Sequence, residues 1–194
     1  MEIYERTNNT GGQVICLDDL ARSLYYDGQT DAAEEAASRA IGLAPEKGQE
    51  YFLCKLHRSL GMIHQSKGEK AKAIHHFKTA LSIASTFNWQ DVLFSNNHDL
   101  ADLFLSEGEF EEATAHIDQA LPYATDGSHR LGCAKYIQAR IWSSQRALEE
   151  AKTGAMCALE IFEKLGATKD AGNCRNLLHK IERKMLTSSR STSS

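Results

Sequence analysis

Leu60-Gly-Met-Ile-His-Gln-Ser-Lys-Gly-Glu-Lys-Ala-Lys-Ala-Ile-His-His-Phe-Lys-Thr-Ala-Leu81 reads as two short helices hinged at Gly68. Ala73, Phe77 and Ala80 follow the i, i+4, i+7 spacing of a buried helical face. Leu60 and Gly61 face back from the first helix. Gly61, Ala73 and Ala80 are small where two helices would cross, and small side chains there permit close approach. The stretch is a helical hairpin suited to stacking.

The pattern recurs. Gly28, Gly68 and Gly108 stand 40 residues apart. Five residues after each comes Ala33, Ala73 or Ala113, and seven further on Ala40, Ala80 or Ala120. Each of these is followed by an aliphatic residue (Ile41, Leu81, Leu121). Seven residues before each glycine sits a small one (Ala21, Gly61, Ala101), preceded by Leu20, Leu60 or Leu100. Self-similarity at a fixed period of this length signals a solenoid of stacked units.

Composition agrees. The 194 residues are 42% apolar and 25% charged, with only two prolines, which favours an all-helical chain with a substantial core. A net charge of −4 gives no broad basic field, so nucleic acid is not an expected partner. No apolar run approaches the ~20 residues of a membrane span, and Met-Glu-Ile-Tyr-Glu-Arg lacks a signal-peptide pattern, so a cytoplasmic location is the default. The five cysteines are unevenly spaced without a C-x-x-C pair, which argues against a disulfide framework or a zinc site. No cofactor is expected.

Residues 1–12 read as the end of a preceding unit's second helix, since Glu2-Ile3-Tyr4-Glu5-Arg6 matches Glu160-Ile161-Phe162-Glu163-Lys164. The expected reading is a piece of a longer array, the alternative being a protein that begins mid-repeat. The array itself is assigned to 13–188. Its repeats run from about 14–47, 50–87, 90–127 and 132–165, with a capping helix at 168–187 and a disordered Ser/Thr tail at 189–194. Pro122 should end or kink the helix it falls in. Arg146 replaces the hinge glycine in the fourth repeat, where the step is 38 residues, so the tight turn is in question there.

These positions resemble the tetratricopeptide repeat family, which places leucine and a small residue in its first helix, glycine at the hinge and two alanines in its second helix. The resemblance implies an all-α, right-handed α-solenoid of four hairpins plus a C-terminal capping helix. Glu160-Ile161-Phe162-Glu163-Lys164-Leu165-Gly166-Ala167 is similar to the MalT-type subclass and to arrays of fungal NACHT or NB-ARC proteins. That likeness implies the sensor or partner-binding part of a larger signal-transduction protein. No G-x-x-x-x-G-K-[ST] occurs in this sequence, so a nucleotide-binding domain would lie elsewhere.

A stacked array lines a channel with the first-helix face offset from its buried face. The buried face is read from Leu20, Ala21 and Leu24. The offset register then gives Ile15, Asp18, Arg22 and Tyr25, then Lys55, Arg58, Met62 and Gln65. Next come Ser95, His98, Asp102 and Leu105, and finally Cys133, Tyr136, Arg140 and Ser143. Tyr26 and Asp99 flank it. The partner-binding set is thus Asp18, Arg22, Tyr25, Tyr26, Lys55, Arg58, Met62, Gln65, His98, Asp99, Asp102, Tyr136 and Arg140. Arginine and tyrosine supply forked hydrogen bonds and rigid flat area, which suit binding hot spots. An extended peptide or another domain's surface is the expected ligand. Charge reversal at Arg58 and Arg140 together is expected to abolish capture at unchanged thermal stability. The chaperone-tail-binding members of the family grip a carboxylate with lysine, asparagine and arginine; Asp18, Arg22, Ser59 and Asp99 here depart from that.

No catalytic constellation emerges. His75-His76 point about 100° apart on a helix and are expected on an exposed polar face, whereas His64 is expected in the core. Glu34-Glu35, Glu111-Glu112 and Glu149-Glu150 open second helices, where carboxylates favour the positive dipole end. The expected function is a non-enzymatic recognition module. The alternatives are a self-assembly scaffold, dimerising through the exposed end at residues 1–12, and a Rap-like regulator.

Overall fold

The computed structural model describes residues 10–43 and 50–191. Among the described residues there are nine α-helices and no strand: α1 Thr10–Tyr26, α2 Thr30–Leu43, α3 Glu50–Ser66, α4 Lys70–Phe87, α5 Gln90–Ser106, α6 Phe110–Ala120, α7 His129–Ser144, α8 Leu148–Lys164 and α9 Thr168–Ser191. The fold is an all-α solenoid. The chain divides into two compact units, one ending at Asp99 and the other starting at Leu100.

The first unit holds hairpins α1–α2 and α3–α4 and the start of α5. Its core joins Val14, Leu17 and Ala21 of α1, Ala33, Ala36, Ala37 and Ala40 of α2, and Leu56, Leu60 and Ile63 of α3. Ala73, Phe77, Ala80 and Ala84 carry the buried stripe along α4. The small residues are where the periodicity places them, and one of them is indispensable in size. A Cβ on Gly61 would stand 2.5 Å from the Phe77 ring, so this helix pair can approach as it does only over glycine. In the second unit, Ala139, Ala151, Ala155 and Ile181 form one cluster and Ala158, Phe162, Ala171 and Cys174 another.

Each hairpin closes in one way. The amide after the hinge residue reaches five residues back: Gln29 to Leu24 O, Glu69 to His64 O, Glu109 to Phe104 O and Ala147 to Trp142 O, all at 2.9 Å. The hinge residue is left-handed in each, with φ +79° at Gly28, +74° at Gly68 and +79° at Gly108. This is the Schellman closure, for which glycine has no steric cost. At the fourth hinge Arg146 takes φ +65° and the turn still forms. The missing glycine, which put this turn in question, is overridden by the same backbone bonds.

Several boundaries differ from expectation. Helix α1 begins at Thr10, so residues 10–12 extend the first helix rather than ending an earlier one; residues 1–9 lie outside the described residues. Helix α9 runs on to Ser191, past the expected end of the capping helix at 187 and into the segment expected to be disordered; residues 192–194 lie outside the described residues. Leu20 is 44% exposed, whereas Leu60 and Leu100 are buried. No helix precedes α1 among the described residues to cover it. Helix α6 stops at Ala120 and a 3-10 turn containing Pro122 follows, as the proline requires.

Candidate partner-binding surface

In the first unit, α1 and α3 lie side by side, and a small cleft of about 70 Å³ opens between them. Its walls include Arg22, Tyr25 and Tyr26 from α1 and Arg58, Ser59 and Met62 from α3. Five residues of the expected partner-binding set thus meet in one place. Tyr25 and Tyr26 are adjacent, yet their rings meet edge to face at 5.4 Å. Tyr26 is 76% exposed, a large amphipathic surface standing in water.

Arg58 is held rather than loose. Its Nε donates to Asp99 Oδ2 at 2.6 Å and its Nη2 to Asp99 Oδ1 at 3.4 Å. Asp99 also faces His98 Nδ1 at 3.3 Å, and the His98 ring stacks on Phe94. Burial pushes the Asp99 carboxyl up, but the charge of Arg58 and the contacts from His98 outweigh it and hold it below the ordinary aspartate value. Burial likewise opposes the Arg58 charge, and Asp99 more than restores it. Both groups are therefore ionised at neutral pH, and the guanidinium is fixed at the cleft wall.

Other members of the set are consumed by neighbouring repeats. Asp18 is buried, accepts from Ser59 Oγ at 3.3 Å and lies 3.7 Å from Lys55 Nζ and from Arg22 Nε. It therefore organises the cleft from beneath and cannot meet a partner. Arg22 also reaches Asp19. Gln65, one turn beyond Met62, is half-buried outside the cleft walls. In the second unit Arg140 pairs with Asp102 and lies 5.7 Å from the centre of the Tyr136 ring. The expectation that charge reversal at Arg58 and Arg140 leaves stability unchanged is therefore corrected, because both arginines tie successive repeats together.

The sequence carries a signal for these ties that spacing within one repeat does not reveal. Ser59 with Asp18, Asp99 with Arg58, and Lys184 with Ser143 are each separated by 41 residues, one more than the 40-residue period. Tyr51 with Asp91 is separated by 40, and Arg140 with Asp102 by 38, the step into the fourth repeat. Complementary residues one period apart mark the contacts.

The histidines also differ from the exposed face expected of them. His75 is exposed, but His76 is half-buried, its ring 5.2 Å from His64 and 5.3 Å from His57, with Nδ1 3.0 Å from His57 Nδ1. His64 is buried, as expected, and bonds Glu69 Oε2 at 2.6 Å. Among the described residues no cluster of three or more histidine, cysteine or acidic side chains is arranged to hold a metal. None of their helices is long and apolar enough to cross a membrane. Cys54 and Cys174 are buried, and burial pushes each thiol up to about 11, so neither is a ready nucleophile.

Comparison with known proteins places this geometry. Residues 59–87 match the tetratricopeptide repeat family model. The sequence matches no curated protein. Among the solved structures similar to this chain, three stand at 13–20% identity, a level that speaks to fold alone. BtubC (BKLC) from P. vanneervenii has a TM-score of 0.70 at 19% identity, over 94% of this chain and 84% of that one. A Rap protein complexed with competence and sporulation factor has 0.63 at 20%, over 96% of this chain but 57% of its own. MamA RS-1 (ArsTM double mutant) has 0.53 at 13%, over 89% and 96%. Together with the hairpins described above, these findings support a helical repeat protein of the tetratricopeptide type.

Proposed function

We propose that the chain is a protein- or peptide-recognition module without enzymatic activity, and that it grips its partner at the cleft between α1 and α3. The observation that carries this reading is the convergence of Arg22, Tyr25, Tyr26, Arg58 and Met62 on one opening. Rigid aromatics beside an oriented guanidinium and a pliable thioether are the chemistry of binding hot spots. Arg58 is pre-organised by Asp99, so its ordering costs little when a partner arrives. The Rap neighbour, solved with a bound factor, agrees with such a use of the fold. The finer reading, a sensor portion of a larger signal-transduction protein, rests on the MalT-like phrase at residues 160–167. A phosphate-binding loop encoded upstream of Met1 would support that part.

The test is peptide selection. Peptides chosen by display against the whole chain should lose at least tenfold in affinity for Tyr26→Ala combined with Met62→Ala. The melting temperature should stay within a few degrees, because Tyr26 is exposed and Met62 only half-buried. Peptides that bind the double variant as tightly as the parent would place recognition elsewhere.

A further inference from the structure

We propose a second ligand site, for a phosphate group, in the open cleft between the α7–α8 turn and the end of α9. It goes beyond the recognition reading and lies wholly within the second unit. Ser144, Arg146, Leu148, Lys184 and Thr187 line a cleft of about 320 Å³. Two walls are cationic, two carry hydroxyls, one is aliphatic, and none is acidic among the described residues.

Arg146 is the key residue. It sits at the hinge position that glycine occupies in the first three repeats, with a left-handed φ of +65°. An L side chain there is strained where glycine is not. Strain kept at a solvent-exposed position points to a use for the side chain. Its guanidinium makes no hydrogen bond or ion pair among the described residues, unlike Arg22, Arg58, Arg140 and Arg175, which each meet a carboxylate. A forked donor at a cleft mouth matches a tetrahedral oxyanion.

Lys184 supplies the second charge. Its Nζ donates to Ser143 O at 2.9 Å and to Ser143 Oγ at 3.1 Å, which fixes the ammonium against the α7 end. Thr187 Oγ1 donates to Lys184 O at 2.8 Å and keeps that turn of α9 regular. Ser144 adds a second hydroxyl to the lining. Leu148 offers an apolar surface to whatever carbon the phosphate is attached to. The ligand class is therefore inorganic phosphate or a small phosphomonoester, bound better as the dianion, which for a monoester predominates above about pH 6.

The experiment titrates the full chain with inorganic phosphate and, separately, with O-phosphoserine, following the Arg146 Nε–H and Ser144 amide resonances. Saturating shifts at these two positions are expected with both probes. Tenfold tighter binding of O-phosphoserine would identify a monoester as the ligand, and equal affinity would identify free phosphate. Arg146→Gly should abolish the shifts at Ser144 while keeping or raising the melting temperature, since glycine suits this hinge. Lys184→Gln should weaken binding at least tenfold. Tyr26→Ala should leave phosphate binding unchanged, which separates this site from the recognition cleft. Shifts that fail to saturate, or that survive Arg146→Gly, would overturn the proposal.

Discussion

At Gly61 one methyl group has nowhere to go. The Cβ of an alanine would sit 2.5–2.8 Å from three atoms of the Phe77 ring, and Phe77 is itself fully buried. Two effects compete. Alanine improves helix propensity over glycine by about 1 kcal/mol, whereas overpacking a tight core costs about 1–3 kcal/mol. The ring is fully enclosed and cannot swing out of the way, so overpacking wins. Gly61→Ala is expected to lower stability by about 1–2 kcal/mol in urea unfolding. Adding Phe77→Leu should recover part of that loss, because it removes the atoms the methyl would strike. A Gly61→Ala chain as stable as the parent would mean that the helices cross more loosely than described. The hinge glycines are a different case. A methyl group at Gly28 would meet nothing within 4 Å, so the value of glycine there lies in its φ of +79° alone.

Between elements, charged side chains one period apart couple a hairpin to the next. The Arg58–Asp99 pair joins α3 to α5, and the Ser59–Asp18 bond joins α3 to α1. Removing one partner of a shielded pair leaves the other charge desolvated, which costs more than the pair contributes. Arg58→Ala is therefore expected to destabilise by about 2 kcal/mol. Arg22→Ala, on a half-exposed side chain at the same cleft, should cost about 0.5 kcal/mol or less. A double-mutant cycle with Asp99→Asn would give the coupling directly, and a coupling near zero would remove the pair from the account of stability. The stacked alanines are readable in the sequence, because side-chain size at a fixed spacing is a local property. Gly68 is readable as a hinge for the same reason. Arg58 and Asp18 read there as simple partner contacts, because their own helix says nothing of what lies 41 residues away. Propensity favours glycine over Arg146 in a left-handed turn, yet the backbone closure and the packing of α7 on α8 outweigh that preference. Tyr25, Tyr26 and Met62 are legible as surface; that they share a cleft with Arg58 requires the register between repeats.

Acid should act on the molecule unevenly, because the histidines that stack on one another among the described residues, His57, His64 and His76, are in the first unit. His76 stands between His57 and His64 at ring distances of 5.3 and 5.2 Å, with His75 edge-on at 5.4 Å. Burial, and then the charges of His57, His64 and His75, push the His76 imidazole down to about 4, with Glu34 opposing weakly. Burial and His75 also lower His57. Glu69, bonded to Lys72 and His64, is the other charge facing the stack. The direction of the effect follows from proton counting. Below the ordinary histidine value near 6.5 the unfolded chain takes up protons that the folded chain refuses, so stability falls as pH drops from about 6.5 toward 4. It levels off once His76 is protonated in the folded state too. After allowance for water around a half-buried ring, His76 alone should account for about 1–2 kcal/mol over that window. A second loss follows at lower pH, where Asp99, held below 3.8, finally takes up its proton and releases Arg58. Hydrogen exchange at pH 7 and pH 5 is the direct measurement. Protection should fall in α3 and α4 by a larger factor than in α7 and α8, and His76→Gln should flatten the dependence. Equal losses in both units, or an unchanged slope in His76→Gln, would show that the imidazoles titrate without opposing the fold.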